Sequence, residues 1–419
     1  MELQPPRGTL DLLPPAGGRM RALYDRASEL ARRYGYGYVE TPGFEDTDLF
    51  RATSGGTSDI VTKEMYTFLD RGGRSLTLRP EGTAPVMRAY LHHRAEMPTP
   101  FKAYYLTRMY RFSRPQAGRY REHRQFGIEV MADPGPSSDV ETIVVGDRYL
   151  RELGLSRFRV EINSIGDEVC RPAYREDLLA FLRANRDRLR DEHRDRFEDN
   201  PLRVLDCKDE ACRAVALEAP HIVDRLCGPC KEHFEGVREG LRQEHLEATL
   251  VPTLVRGLDY YTRTAFEFVA EGLSPQQATL FGGGRYDGLA EALGGPHVPG
   301  VGFGMGLERV SLALDQEGVA APEEAALMVF VVGIGGEGRA AGRDLARSLR
   351  TEGVSADLAY EDRPLGAQLK MADRSAARFA AILGPREIEG DSVRLRRMAD
   401  GAEEDVSRAD VVNWLLQRS

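Results

Sequence analysis

Met20, Leu23, Ala27, Leu30 and Tyr34 recur at steps of three and four, which lays one apolar stripe along a helix that Gly35 ends. The period then falls to two. Residues 36–41 read as a strand closed by Pro42, because proline fits only strand ends and edges. Residues 65–70 and 74–79 flank Gly72 and Gly73, a pair that tolerates the positive φ of a tight turn, so a hairpin is predicted that leads into RPEGT at 79–83. Strands follow at 104–112 and 120–131 around a turn-rich stretch at 113–118. In the second of these, Phe126, Ile128 and Val130 share one face, predicted to meet packed helices. Gln125, Gly127 and Glu129 share the other, predicted to be open and polar.

The pattern changes over 170–245, which is charge-dense and helical, with Arg and Asp or Glu interleaved from Arg183 to Asp199. It reads as a helical subdomain inserted between 1–169 and 246–320. Strand signals return at 254–269, followed by glycine-rich segments at 282–288 and 300–306, and a boundary is predicted near 318–324. From 325 to 419, strands at 327–332, 354–360, 379–383 and 392–398 alternate with helices at 339–350, 365–376 and 409–417. That alternation is the mark of a small α/β domain with a mostly parallel sheet, whereas the strands of the first part group together as in an α+β fold.

At 419 residues, 42% hydrophobic and 29% charged, the chain has the composition of a soluble globular protein with two or three cores. No apolar run approaches the ~20 residues of a membrane span, and the start has no apolar core of the signal-peptide type. A cytoplasmic protein with no membrane partner is expected. The formal net charge of −9 argues against indiscriminate coating of nucleic acid. It conceals a local excess, since residues 102–124 carry seven basic side chains against one acid. That run is either a solvated face or a site for an anion.

Four segments are unusually polar for their strand-like or glycine-rich context: RPEGT at 79–83, YRFSRPQAGRYREHRQFGIEV at 110–130, LVRGLDYYTRTAFE at 254–267 and GFGMGLERV at 302–310. Their arginines, Arg111, Arg119, Arg256 and Arg309, suit bidentate binding of phosphate oxygens, and the accompanying carboxylates suit an amine or an imidazole. Arg309 lies one turn into a predicted helix, near the positive end of the macrodipole, where a cation needs an anionic partner. Glu308 or a bound anion could supply it.

These segments resemble the histidyl-tRNA synthetase family of class II aminoacyl-tRNA synthetases, and the resemblance covers essentially the whole chain. Residues 36–42 look like class motif 1, the dimer-interface strand; 108–131 look like motif 2 and 302–310 like motif 3. LVRGLDYYTRTAFE and GGGRYDGL at 282–289 resemble the two histidine-specific signatures. The resemblance implies a class II antiparallel-sheet catalytic domain with a helical insertion, then an α/β anticodon-binding domain at 325–419. It implies ATP with Mg2+, histidine and tRNA(His) as ligands, and a homodimer through motif 1. By the same resemblance Arg111, Arg119 and Arg309 bind ATP, and Arg256 stabilises the transition state between the α-phosphate and the histidine carboxylate. Glu81, Thr83 and Gln125 take the α-amino group; Glu129, Tyr260, Tyr261 and Tyr286 surround the imidazole; Arg114 and Gln116 approach the tRNA acceptor end.

Two motifs stand outside this scheme. Cys207, Cys212, Cys227 and Cys230 form CxxxxC and CxxC pairs suited to a structural zinc ion, or are four free thiols, with His221 and His233 as alternative ligands. Gly333, Gly335 and Gly338 form a GxGxxG, but the unit that holds them is too short for a two-half dinucleotide fold, and a strand-to-helix turn is the expected reading. The competing function is a histidine-sensing regulatory subunit of histidine biosynthesis, an inactive relative of the same family. Such a chain should lack the C-terminal domain and lose the ATP-contacting arginines, and this one keeps both.

Overall fold

The computed structural model describes residues 3–53, 63–205, 207, 209–256, 260–274, 277–320 and 326–418. The apolar stripe near the N-terminus is the buried face of the helix Ala16–Arg33, with Met20, Leu23, Ala27 and Leu30 all inside. Gly35 then turns the chain out at φ +78°, a conformation that glycine adopts without steric cost.

The chain divides into two units, 1–322 and 323–419. The first is organised on an eight-stranded sheet in the order Gly37–Tyr38, Phe101–Tyr110, Glu122–Met131, Gly300–Gly306, Thr279–Arg285, Thr262–Ala270, Phe158–Ser164, Ala248–Leu250. Its six central strands are antiparallel, and each edge strand runs parallel to its neighbour. The strand predicted at 36–41 shortens to Gly37–Tyr38. The predicted hairpin forms between Tyr66–Leu69 and Ser75–Leu78.

Phe126, Ile128, Val130, Phe266, Phe268, Phe281 and Phe303 fill one face of the large sheet and pack with side chains of the helices Ala16–Arg33, Pro136–Glu152 and Gly228–Gln243. Gln125 and Glu129 do lie on the opposite face, but that face is not open. Glu129 is fully buried and Gln125 nearly so, because the helix Thr83–His93 brings Thr83 onto Glu129 and Tyr105 and Tyr286 reach the same carboxylate.

The glycine-rich segments are strands, paired so that Gly283 faces Phe303. Their glycines are a consequence of the covered face. A Cβ on Gly302 or Gly304 would collide with the side chains of Glu129 or Gln125, and one on Gly282 or Gly284 with Arg256 or Tyr261. The sheet supplies a floor without side chains on which polar groups from neighbouring segments lie.

The segment 170–245 is helical, chiefly Arg171–Ala184, Glu210–Glu218 and Gly228–Gln243. It has no separate core. Tyr174, Leu178, Leu182, Phe197 and Val215 join one hydrophobic cluster with Tyr260, Tyr261 and Tyr286, while Phe234, Val237 and Leu241 join the sheet's main core. Among the described residues no helix is long and apolar enough to cross a membrane.

The second unit holds a five-stranded sheet. Ala356–Leu358, Val329–Gly333 and Phe379–Leu383 are parallel, and Ser392–Arg397 and Glu403–Ser407 extend it antiparallel. In GIGGEG, Gly333 ends a strand and Gly338 lies in the helix Gly335–Thr351, where a Cβ would strike the Leu383 carbonyl. These glycines serve close helix-to-sheet packing. Of the boundary predicted near 318–324, residues 321–324 lie outside the described residues.

Candidate active site

The RPEGT segment is held in place before it offers any chemistry. Arg79 donates to the carbonyls of Thr41 (2.7 Å) and Arg108 (2.9 Å), and Arg111 Nε donates to the Pro80 carbonyl at 2.7 Å. Glu81 then accepts from the backbone N–H groups of Thr83 (2.6 Å) and Ala84 (3.1 Å), which begin the helix Thr83–His93 and have no partner within it. Full burial nevertheless pushes the Glu81 carboxyl up to about 7, with those N–H groups and Arg111 pulling the other way.

Glu129 is the centre of the pocket. It accepts hydrogen bonds from Thr83 Oγ1 (2.7 Å), Tyr105 (3.4 Å) and Tyr286. Burial raises its pKa to about 8 against these donors, helped by the negative charge of Glu81. Tyr260 lies between Tyr261 and Tyr286, with ring centroids 4.7 and 5.9 Å away. Gln125 Oε1 and Arg256 Nε are buried and have no hydrogen-bond partner among the described residues. An unmet amide acceptor beside an unmet guanidinium donor fits a ligand that brings both an N–H group and an anionic oxygen.

Beside this pocket the arginines converge. Arg256 pairs with Glu267 at 2.5 Å, and the other carboxylate oxygen of Glu267 accepts from Thr279 Oγ1 at 3.1 Å. Arg309 donates to the Thr279 carbonyl. Glu308 is not its partner: that carboxylate accepts from the backbone N–H of Arg124 at 2.9 Å and pairs with the Arg124 side chain. Burial, then the positive charges of Arg119 and Arg111, lower the pKa of Arg309. The same three arginines, after burial, drive His123 down to about 3. Arg111, Arg119 and Arg309 therefore surround one neutral imidazole, and their mutual repulsion favours an anion with several charges. Arg119 also pairs with Glu64 at 2.8 Å.

Arg114 and Gln116 are exposed on the turn between the strands Phe101–Tyr110 and Glu122–Met131, where Gln116 and Arg119 exchange backbone hydrogen bonds. Gly118 on this turn rests against Arg309 and Leu312.

A model of the family described as histidyl-tRNA synthetase matches residues 8–310, and one described as anticodon-binding domain matches 328–418. The chain belongs to the histidyl-tRNA synthetase family. It is 49% identical to the histidine--tRNA ligase of Moorella thermoacetica over 98% of this chain and 97% of that protein. The apo histidyl-tRNA synthetase of S. aureus superposes with a TM-score of 0.82 at 35% identity, covering 99% of this chain and 100% of that one. A structure from Bacillus halodurans C titled as an ATP phosphoribosyltransferase regulatory subunit/histidyl-tRNA synthetase shares the fold, with a TM-score of 0.62 at 23% identity over 92% of this chain and 99% of that one.

Of the residues singled out in the sequence, Glu81, Thr83, Gln125, Glu129, Arg256, Tyr260, Tyr261 and Tyr286 gather on one face of the sheet, and Arg111, Arg119 and Arg309 meet beside them. Part of the first histidine signature, 257–259, lies outside the described residues. Three contributors carry no separate sequence signal as site residues. Tyr105 stands beside the core residue Tyr104, so two adjacent aromatics hide which one faces the site. His123 is surrounded by arginines only in the folded chain. Arg285 is fully buried, paired with Asp139 and with Asp287 at 3.1 Å, and fixes the strand end that presents Tyr286. A charged residue inside a glycine run was its one sign.

The cysteines depart from the expected arrangement. Cys227 and Cys230 group with Cys170 and Asp167, whereas Cys207 and Cys212 group with His193, so the four predicted ligands do not form one set. His233, weighed above as an alternative ligand, is buried against Asp139 at 3.3 Å and belongs to neither cysteine group.

Proposed function

We propose that this chain attaches L-histidine to tRNA(His) in two steps. The histidine carboxylate attacks the α-phosphorus of ATP, releasing pyrophosphate and forming histidyl-adenylate. The 3′-hydroxyl of the terminal tRNA adenosine then takes the acyl group and AMP departs. One observation carries this reading: a buried pocket centred on Glu129, with hydroxyl and amide acceptors around it, opens against a group of four arginines.

Each part has a physical task. Glu129 and Tyr286 meet the two imidazole nitrogens, one a donor and one an acceptor when the ring is neutral. Glu81, Thr83 and Gln125 take the α-ammonium. An amino acid that lacks the ring nitrogens leaves buried partners unpaired, which discriminates by ~10^4 in comparable sites. Arg111 holds the α-phosphate and Arg309 the γ-phosphate, with Arg119 also on ATP. Arg256 sits between the reacting carboxylate and the α-phosphate and neutralises the charge that gathers in the transition state. No side chain acts as a nucleophile; the site orients two substrates and stabilises charge. A magnesium ion, when bound, would offset the charge of the triphosphate. Glu64 and Glu267, the carboxylates that pair with the arginines, suit an oxygen-seeking ion of that kind.

In this reading 1–169 and 246–320 are the catalytic domain, 170–245 its insertion and 325–419 the anticodon reader. Arg114 and Gln116 approach the acceptor end. The basic side chains Arg394, Arg396 and Arg397 pair with Asp405, Glu403 and Asp400, which supports a structural surface there rather than an RNA contact. A homodimer through 36–42 is supported by the half-exposed Tyr38 on a two-residue edge strand. Charging of tRNA places the protein in the cytoplasm. The test is aminoacylation with ATP, labelled histidine and total tRNA. Formation of histidyl-tRNA is expected, and a folded chain that binds histidine without forming adenylate would instead be a sensor.

A further inference from the structure

Asp167 and Cys170 lie between the strand Phe158–Ser164 and the helix Arg171–Ala184; Cys227 and Cys230 open the helix Gly228–Gln243. The fold brings these two pairs, each with a spacing of three, into one cluster, and all four ligand atoms lie within 4.8 Å of one another. We propose that Asp167, Cys170, Cys227 and Cys230 bind one zinc ion that fastens the start of the insertion to the start of its last helix.

The distances fit a closed tetrahedral site. Zinc bonds of ~2.3 Å to sulfur and ~2.0 Å to oxygen at the tetrahedral angle place a sulfur and an oxygen about 3.5 Å apart. Asp167 Oδ1 lies 3.4 Å from Cys170 Sγ and 3.9 Å from Cys227 Sγ. Three thiolates with one carboxylate select a soft-tolerant, tetrahedral ion such as zinc over magnesium or calcium. The surroundings suit the charged ligands. The Cys227 N–H points at Cys170 Sγ at 3.1 Å, and Arg263 lies 3.9 Å from the second Asp167 oxygen, so a site with more negative ligands than the metal can neutralise has a cation at its edge. Cys170 and Cys230 are buried, while Asp167 and Cys227 keep some exposure, which leaves the ion a way in. The other group, His193, Cys207 and Cys212, offers three donors among the described residues.

The site also has a place in the architecture. Arg171, next to Cys170, donates to the carbonyls of Ile165 and Tyr261. Arg263 follows Tyr261 by two residues and bonds through its backbone N–H to Gly166 at 2.7 Å. A metal there would tie the root of the insertion to the segment that presents Tyr261.

The full chain, purified under reducing conditions and stripped with a chelator, is titrated with Zn2+ alone and with Co2+ alone against a chromophoric competitor. The expected result is one zinc equivalent bound at about 10^-8 M or tighter, with a tetrahedral cobalt spectrum that includes thiolate charge-transfer bands. Both should weaken at least ~100-fold in Cys170→Ser and Cys230→Ser and persist in Cys207→Ser and Cys212→Ser. Asp167→Cys should retain the metal, which tests the fourth position even where a serine variant fails to fold. No uptake by the unmodified chain, or uptake that follows Cys207 and Cys212 in place of Cys170 and Cys230, overturns the proposal. Metal content is read independently of aminoacylation, so failure here and failure of the ligase reading are distinguishable.

Discussion

Tyr286 donates its phenolic hydrogen to Oε2 of Glu129, and neither side chain touches solvent. The bond favours the carboxylate, yet burial wins and the Glu129 pKa stands at about 8. The raised value makes stability depend on pH. The unfolded chain loses this proton near the ordinary carboxylate value and the folded chain keeps it to about pH 8, so the contribution is complete below about pH 4.5 and is lost as pH rises through 8. Glu81 adds the same sign of change up to about 7. Urea unfolding of the ligand-free protein between about pH 6 and 8 should show stability falling by ~2 kcal/mol per pH unit, with the slope reduced by about half in Glu129→Gln. An unchanged slope in that variant would remove Glu129 from the explanation.

Arg256 is largely but not fully buried, paired with Glu267, and lies over Gly282 on the sheet floor. Arg256→His should lower the rate of histidine-dependent ATP–pyrophosphate exchange by ~10^2 or more and change the histidine dissociation constant by only a few-fold. Equal losses in the two measurements would mean that it binds ground state and transition state alike.

Arg309 has the clearest electrostatic strain, since burial and two neighbouring arginines all disfavour its charge. Arg309→Met should leave the ligand-free protein as stable or more stable by up to ~1 kcal/mol, while the KM for ATP rises ~10-fold or more. Thermal melts with and without ATP read both effects. A less stable free protein would show that the arginine supports the fold and is not poised for an anion.

Gly302 needs no unusual backbone angle; it is glycine because Glu129 lies over it. Gly302→Ala should therefore raise the KM for histidine at least ~10-fold and cost ~1–3 kcal/mol of stability, with a much smaller change in the KM for ATP. If histidine and ATP affinities fall together, the methyl group disturbs the sheet rather than the carboxylate.

Segments with a single strong period are legible in the sequence. The helix Ala16–Arg33 buries one face, and the strand Glu122–Met131 turns Phe126, Ile128 and Val130 to the main core; apolar residues gathered on one face are what periodicity records. The strands Thr279–Arg285 and Gly300–Gly306 are not legible in this way, because their glycines answer to side chains arriving from other segments. The closed face around Glu129 is hidden for a related reason: Thr83, which covers it, is 46 residues away. The strand Glu403–Ser407 escapes notice because only Val406 is buried, and its acids are matched across the ladder by Arg394 and Arg396. The two cysteine pairs have the spacing of ligands, but spacing alone does not reveal that Asp167 and Cys170 complete one set.

The helix Gly228–Gln243 closes the insertion in sequence, yet Phe234, Val237 and Leu241 are part of the core beneath the catalytic sheet. The insertion therefore props the catalytic unit at two places. Shortening the chain within 185–226 takes Phe197 and Val215 out of the cluster that holds Tyr260, Tyr261 and Tyr286, whereas a cut that takes Gly228–Gln243 opens the main core beneath the sheet. Either loss reaches the site through its apolar support rather than through a residue that touches a ligand.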